Sequence, residues 1–284
     1  VISLTLLISK RYILFAELLN TFFSCSDDGP AVPTERPEPT MNASDSLALV
    51  DIYKAADGDK WLIKWDLTNW HSWGGAGAVY DSVNNEYRIV QLILNQDSSP
   101  EPQGIISERV GDLPYLVYFA AGGSGYTGEI PESLFRLQHL QHVRILGTSI
   151  GGEIPGYVFQ APSLEMLELN GNGFYGEIPD EIAEWDNPDA QCWLCFNHLS
   201  GKVPEGINIA WLQLRNNEYT EYPFDYLFTD TRVIMFNNYI TGVIPDSVLN
   251  DLEALKRLWM YSAGEFTNEP DWWDGYIWPF DDEE

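Results

Sequence analysis

The sequence predicts an α/β repeat solenoid of about eight coils with a parallel sheet on one side and a helical cap at its N-terminal end. Three observations carry this expectation. The tetrapeptide Gly-Glu-Ile-Pro begins at Gly128, Gly152 and Gly176, at intervals of 24 residues, with weaker copies at Gly104, Gly201 and Gly242 and a degenerate one ending at Pro223. Upstream of each copy stands an alternating apolar pair, from Leu92/Leu94 through Leu167/Leu169 to Leu258/Met260, the two-residue period of a strand with one buried face. Three positions after each pair comes a polar residue: Asp97, Ser124, Thr148, Asn172, Asn197, Asn217 and Asn238, with Ala263 ending the register.

Length and composition bound the alternatives. The chain has 284 residues, with 43 Asp and Glu against 15 Lys and Arg, a formal net charge of −28. That balance excludes a nucleic-acid partner, which needs a basic footprint. At 45% hydrophobic residues there is ample material for a core. Three cysteines cannot form a disulfide scaffold, so packing must supply the stability.

In chain order, residues 1–24 are apolar but split by Lys10-Arg11, and each run is short of the roughly 20 residues that span a bilayer. Read from Lys10, they form a charged start, an apolar stretch from Tyr12 to Phe23, and Ser24-Cys25, a secretory signal. The small Ser24 before Cys25 and the acidic Ser26-Asp27-Asp28 after it resemble bacterial lipoprotein signals. That resemblance implies lipidation at Cys25, secretion, and anchoring at a bacterial cell surface or outer membrane, with membrane contact through the lipid alone. Residues 25–43, Pro-rich and acidic, are expected to be a flexible tether.

Residues 44–88 are expected to form the cap and 89–266 the solenoid. Within the solenoid, LEMLELNGNGFYGEIPDEI at 164–182 resembles the plant-type leucine-rich repeat, LxxLxLxxNxLxGxIPxxL. The resemblance implies a horseshoe, and the segment at 46–73 resembles that family's N-terminal cap, with Trp61, Trp65, Trp70 and Trp73 as packing anchors. The family's cap cysteines are replaced by His71 and Tyr80, so aromatic packing alone is expected to hold it. Eight strands about 4.8 Å apart give a concave face roughly 35 Å long. The acidic, Trp-rich segment 267–284 is expected to cover the far end.

Residues beside and between each apolar pair point onto the concave face. These 24 positions hold four Arg, one acid (Glu168) and six aromatic residues, where overall composition would put about 1.3 basic and 3.6 acidic residues. Aromatic residues suit any parallel sheet, but the scarcity of acids on so acidic a chain points to a binding face. The candidate ligand-binding residues are Tyr118, His142, Arg144, Trp193, Trp211, Arg215, Arg232, Phe236, Arg257, Trp259 and Tyr261. Arg supplies planar donors for carboxylates, and Trp a stacking surface.

Enzyme chemistry is not expected. Cys192 and Cys195, three apart in a strand, are expected to face opposite sides, so no easy disulfide or shared metal follows. His139 and His142 make no ligand pair, and no HExxH, GxSxG or Walker sequence occurs. Glu129, Glu153 and Glu177 form an acidic stripe read as a solvated edge. The sequence therefore implies a monomeric, non-enzymatic extracellular protein, with no cofactor and no metal, that binds a protein or peptide on its concave face. A carbohydrate-binding surface protein and a structural, self-associating one are the alternatives.

Overall fold

The first element of the fold is β1 (Thr40–Met41), and it already belongs to the main sheet, pairing in parallel with Glu86 and Tyr87. The computed structural model describes residues 38–94, 103–262 and 264–270. The signal at 1–24, Cys25, Asp97, Ala263 and the tail from Asp271 lie outside the described residues. Residues 40–43, expected at the end of the tether, belong to the fold instead: Met41 is buried, and Asn42 caps the first helix.

That helix, α1 (Ala43–Ala55), starts where the Asn42 Oδ1 accepts from the backbone N–H of Ser44 and Asp45, filling two donors that a helix start leaves unpaired. It is followed by the antiparallel hairpin β2 (Ala76–Asp81) and β3 (Glu86–Leu94). Trp61, Trp65 and Trp73 are buried between helix and hairpin; Trp65 stacks on both Tyr53 and Trp73. Each indole N–H finds a carbonyl, on Ala56, Gly74 and Asp66 respectively. His71 packs beside Trp70, and Tyr80 donates to Asn85. Aromatic packing is not alone in holding the cap. The fully buried Asp45 carboxylate receives the Arg88 guanidinium at 2.9 and 3.1 Å and the Ile89 N–H at 2.9 Å.

Each coil then contributes one strand to the concave sheet and, in most coils, a shorter one to an outer edge. In chain order these are β4 (Gln103–Ile105), β5 (Tyr118–Gly122), β6 (Gly125–Thr127), β7 (His142–Leu146), β8 (Gly151–Gly152), β9 (Met166–Glu168) and β10 (Gly173–Gly176). They continue as β11 (Asn187–Trp193), β12 (His198–Leu199), β13 (Ile209–Gln213), β14 (Arg232–Ile234), β15 (Thr241–Gly242) and β16 (Glu265–Phe266). The concave sheet runs β1-β3-β5-β7-β9-β11-β13-β14, with β2 on the other edge of β3. On the convex side, the 3-10 turns at Gly156–Phe159, Asp180–Glu184 and Phe224–Phe228 and the short helices α2 (Glu132–Phe135) and α3 (Asp246–Leu249) each begin just after a proline, whereas the turn at Glu108–Asp112 follows Ser107. Proline suits that place because its φ is preset and it lacks an N–H.

The expected inward pairs form the core: Leu92, Phe119, Val143, Leu167, Cys192 and Leu212 are all fully buried. The polar ladder also performs as its chemistry suggests. The Asn197 Nδ2 donates to the carbonyls of Leu169 and Leu194 while its Oδ1 accepts from Phe174 N–H, and Asn217 and Asn238 repeat the pattern one coil on. An unpaired buried backbone group costs about 1–3 kcal/mol, so these amides close the turns.

One element differs from expectation. Where an eighth strand was expected around Leu258 and Met260, the chain forms α4 (Leu252–Tyr261). Asp251 caps it by accepting from the N–H of Glu253 and Ala254, and Ala254, Leu255 and Leu258 form its buried face at helical spacing.

Candidate functional site

The strand register sets which concave residues are neighbours. One row runs Tyr118, His142, Met166, Gln191, Trp211, Arg232 across successive strands. A second runs Ala120, Arg144, Glu168, Trp193, Gln213, Ile234. Seven of the expected coils thus present outward residues on adjacent strands.

The N-terminal half of this face is occupied by its own charges. Arg144 Nε lies 3.1 Å from Glu168 Oε2, an ion pair whose angle misses hydrogen-bond geometry, and Arg144 Nη1 reaches Tyr118 Oη at 3.5 Å. Burial raises the Glu168 carboxyl above its ordinary range, and Arg144 only partly offsets this. His142 is lowered, chiefly by burial and also by Arg144, against the pull of Glu165 at 4.0 Å. Arg144 was expected to hold a ligand carboxylate; Glu168 already supplies one. The sequence signal for this was Glu168, the one acid at an outward position between the inward pair Leu167 and Leu169.

The C-terminal half is aromatic and cationic. The Arg232 guanidinium lies over the Trp211 ring, 4.8 Å from its centroid. Trp193, Trp211 and Phe236 are half-buried, and Arg215 is exposed. Asn170, which sequence reasoning did not single out as a site residue, accepts from the Cys195 N–H and ties two successive coils together. Cys195 points away from Cys192 as expected, yet it is buried, and burial raises both thiols.

The last three candidates do not stand on a concave strand. Arg257, Trp259 and Tyr261 are on α4; Arg257 Nη1 donates to the Leu227 carbonyl at 2.6 Å, and the Tyr261 carbonyl accepts from Met235 N–H. The Trp259 side chain lies outside the described residues. Among the described residues no group of His, Cys, Asp or Glu could hold a metal ion, and Glu129, Glu153 and Glu177 are exposed.

Residues 163–185 match the Leucine Rich Repeat family, a span of one coil. No curated protein matches the chain. Among solved structures, the one titled PEPR1-AtPEP1 is 20% identical, with a TM-score of 0.58 over 72% of this chain and 29% of that one. A plant ice-binding protein is 22% identical, with a TM-score of 0.51 over 78% of this chain and 76% of its own. The chain therefore spans under a third of the length of the first of these. By its parallel concave sheet, its ladder of turn amides and these likenesses, the fold is that of a leucine-rich-repeat solenoid.

Proposed function

We propose that this chain is a non-enzymatic extracellular binding protein whose ligand, a peptide or protein segment, lies across the C-terminal half of the concave sheet. The observation that carries this reading is the Arg232–Trp211 stack, beside Trp193 and Arg215, on a face whose acid is buried against Arg144. Trp concentrates binding energy because it covers much area with few freedoms to lose, and Arg because its planar fork makes several charged hydrogen bonds at once. The neighbours include a protein named as ice-binding, so the fold leaves the ligand open and the side chains must choose it.

A glycan is the second reading, and one observation favours it. Trp193 Nε1 and Gln213 Oε1, paired in register, have no hydrogen-bond partner among the described residues. Both atoms are shielded from solvent in the free chain, and rotation of the two side chains would present an unpaired donor and acceptor to a hydroxyl-rich ligand. Parallel peptide and glycan arrays probed with the full chain separate the two. Trp211→Ala should weaken retention by tenfold or more, roughly, with Tm nearly unchanged because the ring is only half-buried. Silence of both arrays would sink the binding reading.

A further inference from the structure

One residue before each polar position of the ladder from Ser124 to Asn238, the backbone enters the left-handed region. The residues there are Gly123, Gly147, Gly171, Phe196, Asn216 and Asn237, with φ of 111°, 61°, 69°, 57°, 55° and 56°. Glycine adopts this conformation freely and asparagine tolerates it, whereas a phenylalanine there is strained. Space is not what favours glycine: a Cβ on Gly147 would meet nothing within 4 Å. Phe196 gains little by packing either, because its side chain is 61% exposed while both sequence neighbours, Cys195 and Asn197, are buried. A ring that strains its own backbone and stays in water does not serve stability.

Its position suggests what it serves. The Phe196 N–H donates to the Arg215 carbonyl at 2.9 Å, so the two residues meet through their backbones on adjacent coils, and both are exposed. Arg215 makes no ion pair among the described residues. On the preceding coil the rim is the bare backbone of Gly171, also exposed. An apolar ring, a cation and a glycine with no side chain in the way fit an extended peptide in which an apolar side chain adjoins an Asp or Glu. At physiological salt the screening length is about 8 Å, so Arg215 dominates over the distant acids of the chain.

We propose that Phe196 is a ligand-binding residue that extends the concave site over its rim and selects such an apolar-acidic peptide segment. The proposal rests on the concave-face reading. The test probes an immobilised array of linear dodecapeptides, with and without an aromatic or aliphatic residue beside a carboxylate, using the full chain, Phe196→Asn and Trp211→Ala. The wild type should retain the apolar-acidic peptides. Phe196→Asn, carrying the residue found in the next two coils, should bind them about tenfold more weakly while its Tm rises by about 2–4 °C. Unchanged retention, or a fall in Tm, overturns the role of Phe196; unchanged retention together with a loss in Trp211→Ala leaves the concave reading standing. Failure of the wild type to retain any peptide overturns both.

Discussion

His142 stands on the concave face between Tyr118 and Met166, with a side chain only 20% exposed. Because burial and Arg144 lower its basicity in the folded chain, the folded state prefers the neutral ring. The stability this contributes is fully present above the ordinary value of 6.5 and is lost as pH falls through the depressed folded value. Glu168 works in the opposite sense: with a raised carboxyl, its contribution is present below its ordinary value of 4.5 and is lost as pH rises through the raised one. Thermal unfolding followed from pH 7 down to about 5 should therefore show the wild type losing Tm faster than His142→Gln. Parallel curves would mean that the imidazole is as well solvated folded as unfolded. The sequence placed His142, Arg144 and Glu168 on one face through the two-residue period. It did not show that Arg144 was already engaged, because pairing across strands depends on which residue of the next coil falls opposite.

At the scale of elements, the strands were legible and α4 was not. Leu258 and Met260 fit the alternating pair as well as any earlier coil, and the repeat register put them in a strand. The competing signal was Asp251 followed by Ala254, Leu255 and Leu258, a cap and a helical stripe. The helix won because it buries three apolar residues where a strand at Leu258 would bury one or two. That substitution removed Arg257 and Tyr261 from the concave face. The cap carries a second lesson. Its tryptophans were visible in the sequence, but the Asp45–Arg88 contact joins residues 43 apart and no local pattern announces it. Replacing Arg88 with Met leaves the buried Asp45 charge without its partner and should cost about 3–5 kcal/mol in urea unfolding. A loss below about 1 kcal/mol would mean that Asp45 reaches water instead; native exceptions to pairing are few.

For the whole molecule the governing quantity is the net charge of −28. The acids lie on turns and outer edges, at Glu129, Glu153, Glu177 and Asp180 among others, so they repel one another over the surface. Raising NaCl from about 10 mM to about 150 mM shortens the screening length from roughly 30 to 8 Å and should raise Tm. An unchanged Tm would show that the acids are spaced too widely to repel. A solenoid is stabilised coil against coil, so this repulsion acts mainly between neighbouring coils.

The ladder amides have a direction. Asn172 reaches back to Ile145 and Thr148, Asn197 to Leu169 and Phe174, Asn217 to Leu194 and Leu199, and Asn268, outside the ladder's register, bonds Ile244 in the same direction. Each coil is thus completed by the coil made after it. Removing any coil would therefore strip the turn before it of its partners, and Asn268 closes the turn at Ile244.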